Sequence, residues 1–334
     1  MTLEEIKLRR LAGQHLLTPA DTQTVVKDLC GVQAQFLSHA LHGLSIRCDE
    51  VNTAGLVKSW TNRGTMHLFS ADDLPLFLHE GRTHFLRPVD TLGSDAYLSA
   101  DRKAYFAELI VDAVSRGIDE REALKPLCEQ AGMTENEGKS LFDPWGGTIR
   151  ALCEAGRICH KVQENKAYQL CPAFEPMAKE SAELELARRY FTHFGPASIK
   201  DAAYFFGTTQ TNVKFWLKQL PVTETLVDGK SCFFIDNGLP AGELPACLFL
   251  AGFDQLILGY EKTESPFLPR AHMREIFTLA GIVRPAILVN GTVVGWWNLK
   301  KRRLKITLFS PTDRKLIADT AEGLWHDLKQ IEYL

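Results

Sequence analysis

The sequence predicts an α+β fold built from three tandem winged helix-turn-helix units and a C-terminal β-rich module. Two observations lead to this prediction. A pattern of helices followed by strands occurs three times along the 334 residues, most loosely in the first hundred, and strand-forming residues dominate after residue 237. A chain of this length exceeds the usual single domain, so several units are expected. The predicted division is 1–100, 101–178, 179–237 and 238–334.

The repeated pattern is clearest at 179–237. Apolar residues at helical spacing run through 183–194, and Gly195-Pro196 ends this helix. Two further helices are predicted at 199–206 and 210–220. Asp228-Gly229 then joins two strand-like runs, as in a β-hairpin. In a winged helix-turn-helix, the helix after the tight turn enters a DNA groove, so Lys214 and Lys218 are expected to contact DNA.

The other segments follow the same logic. In 101–178, helices at 104–114, 121–131 and 141–155 precede two strands around Glu164-Asn165, and in 1–100, helices at 2–17, 22–29, 36–44 and 52–60 precede a strand at 64–70. After a Gly/Pro-rich linker at 238–246, strand formers occupy 247–253, 274–280, 286–299 and 304–309, and a helix is predicted at 313–328. Asn290-Gly291 marks a strong hairpin turn within this module.

Overall charge does not identify a partner, because the net charge is −3 and the pI is near 6.4. Residues 264–315 differ, since ten basic residues face only three acidic ones there, a local charge of +7. The run Lys300, Lys301, Arg302 and Arg303 lies at the centre of this segment and is predicted to contact DNA phosphates. A solubilising strand edge is the alternative.

Cofactors and compartment are constrained by what the sequence lacks. The eight cysteines are scattered without a Cys-x-x-Cys pair, which favours a reducing cytosol over a zinc site or a disulfide framework. We expect no metal and no cofactor, and treat Cys159-His160 as chance. The charged N-terminus does not resemble a signal peptide, and no apolar run approaches about 18 residues. A cytoplasmic protein, associated with the nucleoid in a bacterium, is expected.

The candidate chemical motif is Gln33-Ala34-Gln35, which follows the helix at 22–29. With Gly31 ending that helix, an extended Val-Gln-Ala-Gln-Phe run would place both amides on one side. Two amides can hold a water molecule in a fixed orientation, but they cannot ionise to take its proton. Such a site suffices only when the leaving group is already activated, as in a cationic N-alkylated purine.

Two blocks of residues resemble a known family. The run from Arg9 to Arg47, which contains the glutamine motif, and Asn62 to Phe69 ("NRGTMHLF") are similar to the AlkZ/YcaQ family of helix-turn-helix bacterial DNA glycosylases. Its hallmark is Gln-aliphatic-Gln in the AlkZ-like branch and Gln-aliphatic-Asp in the YcaQ-like branch. The resemblance implies that Gln33 and Gln35 position the attacking water.

The resemblance also implies a substrate and supporting residues. It implies excision of N7-alkylated purines and, in some members, unhooking of interstrand crosslinks. We expect a monofunctional, metal-independent DNA glycosylase of base-excision repair that acts on double-stranded DNA, and three tandem units in one chain make a monomer sufficient. In the second block, Arg63 is a candidate phosphate contact and Thr65 a supporting residue. His67 would contact DNA, buttress the glutamines, or simply be a satisfied strand histidine.

Two other functions fit the same sequence. A transcription regulator or architectural DNA-binding protein would bind DNA without releasing a base. A glycosylase fold that has lost turnover would bind alkylated DNA and leave the base attached. Release of a modified base from alkylated duplex separates both from a working enzyme.

Overall fold

The computed structural model describes residues 1–81, 98–143, 147–238 and 242–334. These residues form two compact units, one discontinuous (Met1–Asn52 with Leu184–Leu334) and one continuous (Thr53–Glu183). The first unit therefore joins the N-terminal helices with the C-terminal half of the chain. The predicted boundaries at 100, 178 and 237 delimit sequence patterns and stay predictions.

The N-terminal part of the first unit contains three helices and one short strand: α1 (Leu3–Gly13), α2 (Thr22–Asp28), β1 (Val32–Gln33) and α3 (Leu37–Ser45). The Thr2 side chain caps α1 in a capping box with Glu5, and Asp21 caps α2. The helix α1 ends at Gly13 rather than extending to residue 17, so Gln14 and His15 lie outside it.

The helix-helix-hairpin pattern predicted near residue 200 is observed as α9 (Lys179–His193), α10 (Ile199–Phe206), α11 (Gln210–Leu217), β6 (Thr223–Val227) and β7 (Lys230–Phe234). Gly207 ends α10 in the left-handed conformation (φ 62°), and Thr209 caps α11. The strands β6 and β7 pair antiparallel, and Ala197 forms an isolated bridge to Phe233.

The C-terminal part of the first unit is a five-stranded sheet in the order β12-β11-β10-β9-β8. Its strands are β8 (Cys247–Phe249), β9 (Ala286–Val289), β10 (Thr292–Lys300), β11 (Arg303–Leu308) and β12 (Gln330–Tyr333), and its helices are α12 (Gln255–Leu258), α13 (Met273–Ile276) and α14 (Arg314–Leu324). The predicted β9–β10 hairpin is confirmed, with Asn290 and Gly291 both at positive φ.

Two predictions in this module fail. The predicted strand at 274–280 begins instead in the short helix α13, which follows a 3₁₀ turn over Arg270–His272. Beyond this helix, Phe277 forms an isolated β-bridge to Val283. The strand β12 was not predicted, because its Gln-Ile-Glu-Tyr sequence is short and half polar and is held by parallel pairing with β11. Of the predicted linker, residues 239–241 lie outside the described part of the chain.

The second unit comprises β2 (Leu56–Trp60), β3 (Met66–Ser70), α4 (Leu74–Phe77), α5 (Ala100–Ser115), α6 (Arg121–Gln130), α7 (Glu135–Leu141), α8 (Gly147–Glu154), β4 (Ile158–His160) and β5 (Tyr168–Leu170). Within it, β3, β2, β4 and β5 pair antiparallel in that order. A buried cluster that includes Phe106, Ile110, Ile149 and Tyr168 forms its core.

Two further predictions fail in the second unit. The predicted helix at 52–60 is a loop followed by the strand β2, because the Leu-Val-Lys-Ser-Trp run pairs along its whole length with β3. The predicted helix at 141–155 is also not one element, since α7 ends at Leu141 and α8 begins at Gly147. Residues 144–146 of that prediction lie outside the described residues.

Candidate active site and DNA interface

The glutamine motif lies directly after a tight helix end. Cys30 (φ 53°) and Gly31 (φ 80°) are both left-handed, and the Gly31 amide donates to the Val26 carbonyl over 2.8 Å. The first left-handed position is therefore Cys30, one residue earlier than predicted for Gly31. This turn reverses the chain into the extended strand β1, which places Gln33 immediately after the helix end.

Burial divides the two glutamines. Gln33 is 6% exposed, whereas Gln35 is exposed, and Val32 and Ala34 are both buried. Burial thus does not alternate along the motif as the period of two predicts. Neither glutamine side chain has a hydrogen-bond partner among the described residues, so the amide groups of both can bind other molecules.

Gln33 lines a small cavity in the first unit. The lining residues come from the end of α2, the motif, α3 and the loop before α12, and include Gln33, His39, Arg47, Gly252 and Asp254. The volume that water centres can occupy there is about 10 Å³, about the space of one water molecule. The cavity therefore brings together a buried amide without a protein partner and room for a single water.

A buried ion pair fixes one wall of this cavity. Arg47 and Asp254 are 1% and 3% exposed, and they form two hydrogen bonds of 2.7 and 3.0 Å. Arg47 also donates to the carbonyls of Gln14 and Gly43, while Asp254 accepts from the Leu256 amide. Because the charges of this pair are matched and hydrogen-bonded, the wall is rigid and its carboxylate is occupied.

A second contact ties the same loop to the motif. The side-chain amide of Gln255 donates to the Gly31 carbonyl over 2.7 Å. Gln255 is 1% exposed, so this bond is shielded from water. The turn that precedes Gln33 is thus held from the C-terminal half of the chain.

His39 is the titratable group of the cavity lining that is not engaged in the ion pair. Its ring packs against Gly252, where a Cβ atom would lie 3.0 Å from His39 Cδ2. Burial lowers the pKa of His39 below its ordinary value of 6.5, because a desolvated imidazolium is disfavoured. The ring is therefore neutral at neutral pH and has a nitrogen that can accept a proton.

An exposed aromatic residue follows the motif. Phe36 is 45% exposed and stacks on Phe253 with ring centroids 5.8 Å apart. The centroids of the Phe36 and His39 rings lie 6.0 Å apart in an edge-to-face arrangement. Phe36 is thus partly exposed next to Gln35, and the rings of Phe253 and His39 pack against it.

The second matching block, 62–69, lies in the second unit. Arg63 has φ 55° in the turn between β2 and β3, and Thr65 and His67 follow it. His67 is 2% exposed, and its Nδ1 lies 2.8 Å from the Thr61 hydroxyl and 3.1 Å from the Thr65 carbonyl. These contacts favour the interpretation of His67 as a satisfied strand histidine that holds the turn.

The predicted basic residues lie at one hairpin tip. Lys300 ends β10, Arg303 begins β11, and Lys301 and Arg302 form the two-residue turn with φ of 48° and 67°. All four are exposed. Because β11 lies between β10 and β12, the alternative of a solubilising strand edge does not fit.

Ion pairs compensate several of the cations in the basic segment 264–315. Arg302 binds Asp327, Lys305 binds Glu332, Lys315 binds Asp319 and Arg284 binds Glu275. Within the part of the chain that the structure describes, Lys300, Lys301 and Arg303 form no ion pair. Three of the four tip cations thus lie together without a carboxylate partner among the described residues. Lys214 and Lys218, on and just after α11, are likewise exposed, one helical turn apart.

Sequence reasoning missed the partners of the glutamine motif. His39 and Arg47 were not singled out, because their roles depend on residues 252–255, more than 200 positions away. Asp254 carried one usable signal, since an Asp before a short apolar helical run is a helix N-cap. That signal identifies the cap of α12 but not its contact with Arg47.

The cavity beside Gln33 has room for one water, and a group of exposed cations lies in the same unit. This combination fits an enzyme that hydrolyses a bond in a polyanion, and comparisons with known proteins identify the class. The family described as "DNA glycosylase AlkZ-like" matches residues 26–331. The chain belongs to this family and is a DNA glycosylase of the AlkZ-like type.

Individual relatives agree with the family. An interstrand DNA cross-link repair glycosylase from Streptomyces sahachiroi is 27% identical over 331 residues, which cover 89% of this chain and 87% of that protein. The structure of the Streptomyces sahachiroi DNA glycosylase AlkZ is similar with a TM-score of 0.79 at 20% identity, covering 100% of this chain and 99% of that one. This likeness shows the shared fold.

In the described part of the chain, no helix is both long and apolar enough to cross a membrane.

Proposed function

We propose that this glycosylase hydrolyses the N-glycosidic bond of cationic N7-alkylated purines in double-stranded DNA, as a monofunctional enzyme of base-excision repair in the cytoplasm. The observation that carries the proposal is the position of Gln33. Its amide is nearly buried, lacks a hydrogen-bond partner among the described residues, and lines a cavity of about one water.

The chemistry of this site matches a substrate that leaves easily. An amide orients water through its carbonyl and NH₂ groups but supplies no charge for protonating a leaving group. A cationic alkylated purine needs no such proton, because it departs neutral when the glycosidic bond breaks. The sugar then carries oxocarbenium character, and the oriented water attacks its anomeric carbon.

We propose that His39 accepts the proton that the attacking water loses. The attacking water must lose a proton as the new C–O bond forms, and the ion-paired Asp254 is occupied by Arg47. His39 lines the same cavity with a neutral ring at neutral pH. Gln35, which is exposed, would contact the substrate sugar or the water from the open side.

DNA contact in this proposal comes from several exposed cations. The helix-turn-helix of α10 and α11 with the β6–β7 hairpin supports a winged helix-turn-helix unit, in which Lys214 and Lys218 face the duplex. The tip residues Lys300, Lys301, Arg302 and Arg303, together with Arg63, would contact phosphates. Three such units within one chain remain our interpretation of the repeated pattern, and a monomer suffices for it.

Base release from a defined duplex tests the proposal. We expect the purified protein to release N7-methylguanine from an oligonucleotide duplex and to leave the strand intact at the abasic site. A duplex crosslinked through guanine N7 by a bifunctional nitrogen mustard tests unhooking in parallel, because the relative from Streptomyces sahachiroi is named for crosslink repair. Binding to the alkylated duplex without release of either base would overturn the catalytic proposal.

A further inference from the structure

Three potential metal ligands converge where three helices end. His15 follows α1, Asp28 is the last residue of α2, and His193 is the last residue of α9. His15 Nε2 lies 2.8 Å from Asp28 Oδ2, and His193 Nε2 lies 3.2 Å from Asp28 Oδ1. Their ligand atoms all lie within 4.8 Å of one another. The function proposed above uses none of these three residues.

The hydrogen bonds of His193 leave a nitrogen that requires a cation. Nδ1 of His193 lies 3.1 Å from the Gly13 carbonyl, which can only accept, so Nδ1 carries the hydrogen. In the neutral ring, the Nε2 lone pair then faces a carboxylate oxygen of Asp28. Two acceptors at 3.2 Å repel each other unless a proton or a metal ion lies between them.

The bond from Nδ1 to a carbonyl is also what a metal-binding histidine commonly makes. Histidine ligands usually donate their second ring N–H to a carbonyl or a carboxylate, which fixes the tautomer and directs the free nitrogen at the metal. His193 has this arrangement through Gly13, whose backbone lies so close that an added Cβ would meet the His193 carbonyl oxygen at 2.4 Å. The hydrogen bond that would orient His193 toward a metal ion is therefore present.

The local electrostatics favour a cation as well. The C-terminal end of a helix carries about half a negative charge, and an acidic residue there is destabilising. Asp28 ends α2 in this unfavourable position, and the ends of α1 and α9 meet it. His15 is held at φ 57°, a strained conformation for a residue other than glycine, which turns its ring toward Asp28.

We propose that His15 Nε2, a carboxylate oxygen of Asp28 and His193 Nε2 bind a divalent transition-metal ion of the zinc type. In a tetrahedral zinc site with bonds of about 2.0–2.2 Å, neighbouring ligand atoms lie roughly 3.3–3.6 Å apart. The observed 2.8 and 3.2 Å separations reach that geometry with shifts of less than about 1 Å. Water completes the coordination.

The role of this ion is structural. It ties the residue after α1 to the ends of α2 and α9, and Asp28 precedes Gln33 by five residues. The ion thus anchors the helix end from which the glutamine motif departs. The expectation from sequence that the protein binds no metal is revised by this proposal, because His15 and His193 are 178 positions apart and their convergence was not visible in the sequence.

Metal binding is tested on the full-length, untagged chain after treatment with a chelator. We expect one equivalent of Co²⁺ to bind per chain with visible d–d absorption, and Zn²⁺ to displace it. Zn²⁺ should also raise the melting temperature, whereas Mg²⁺ should not, since the site offers nitrogen donors. These measurements need no DNA substrate, so their outcome is independent of the proposed glycosylase specificity.

Substitutions then locate the site. Each of Asp28→Asn, His15→Gln and His193→Gln is expected to weaken Co²⁺ binding by at least about 100-fold. The matched control His326→Gln removes an exposed histidine outside the cluster and should bind Co²⁺ like the unaltered chain. The proposal is overturned if the unaltered chain binds no Co²⁺, in which case a proton bridges His193 and Asp28, or if the three variants bind it normally.

Discussion

The glutamine segment and the basic hairpin tip lie in the same compact unit but are held in opposite ways. Gln33 is buried after a turn that Gln255 holds through a buried hydrogen bond, and the hydrogen-bonded Arg47–Asp254 pair lines the same cavity. The tip residues Lys300 and Lys301 are exposed, and they lie at the turn that joins the paired strands β10 and β11.

This difference matches two different tasks, the orientation of a water molecule by Gln33 and the attraction of DNA phosphates by the tip cations. Orienting one water requires its partners to be fixed within a fraction of an ångström, which only a packed and hydrogen-bonded environment provides. Contact with phosphates requires mainly charge, which acts over several ångströms and tolerates side-chain motion. We therefore expect substitutions in the two regions to affect different measurements.

The largest effect is expected on folding stability at the ion pair. Arg47→Met leaves the Asp254 carboxylate buried without its partner, and we expect the free energy of unfolding to fall by about 3–5 kcal/mol. Chemical denaturation monitored by tryptophan fluorescence measures this change. The matched substitution at the tip, Arg303→Met, should change the stability by less than about 0.5 kcal/mol. Equal losses in the two variants would show that the Arg47 network does not fix the segment.

The next effect is expected on catalysis at the motif. Gln33→Ala should slow single-turnover release of N7-methylguanine by about 100- to 1000-fold, comparable to the loss of one preorganised hydrogen-bonding group in other active sites. Its affinity for alkylated duplex should remain within about threefold. Gln35→Ala is expected to slow release by less than Gln33→Ala does, because the Gln35 amide is exposed. Normal release by Gln33→Ala would refute the role of the cavity.

A smaller effect is expected on DNA affinity at the tip. The triple variant Lys300→Gln, Lys301→Gln, Arg303→Gln removes three cations without ion-pair partners among the described residues. Each phosphate contact contributes about 0.9 to the slope of log K against log salt, so the slope should become shallower by up to about 2.7. Release at saturating enzyme should be retained.

A matched triple variant tests whether position or mere charge matters. Lys305, Arg314 and Lys315 are exposed cations of the same module, but each contacts Glu332, Tyr333 or Asp319. Their replacement by Gln should leave the salt slope nearly unchanged. A similar loss of slope in both triple variants would assign DNA binding to the overall charge of the module.

The smallest effect is expected in the pH dependence of base release, which we assign to His39 beside the glutamine motif. Burial lowers the pKa of His39 below its ordinary value of 6.5. Enzymatic release at saturating enzyme should stay constant from pH 8 to about 6.5 and decline below it, as His39 becomes protonated. His39→Gln should give a lower and flat profile over this range, after subtraction of spontaneous depurination.

His39 also makes stability depend on pH with a defined sign. In the unfolded chain, histidine takes up its proton near pH 6.5, whereas folded His39 takes it up at a lower pH. The unfolded state therefore binds more protons in that window, and stability falls as the pH falls through it. Denaturation of His39→Gln should show a weaker pH dependence than the unaltered chain below pH 6.5. An identical dependence would indicate that His39 is solvated.

Much of the local structure could be predicted from the sequence. Helices with a capping residue and an apolar stripe, such as α2 after Asp21 and α10 after Ser198, were predicted within a few residues. The Asn290-Gly291 turn predicted its hairpin, because only positive φ at both positions closes it. One error lies where pairing overrode local preference, since the Leu56–Trp60 run is a strand because β3 pairs with it.

The sequence by itself determined the family, the extended run at Gln33, and the charge at Lys300 to Arg303, because each depends on neighbouring residues. Tertiary structure alone decided that Gln33 is buried while Gln35 is exposed, that His39 and the Arg47–Asp254 pair surround it, and that His15, Asp28 and His193 converge. These outcomes depend on contacts between residues up to about 220 positions apart. Such contacts arise from burying apolar surface in the whole unit, which leaves no periodic pattern in the local sequence.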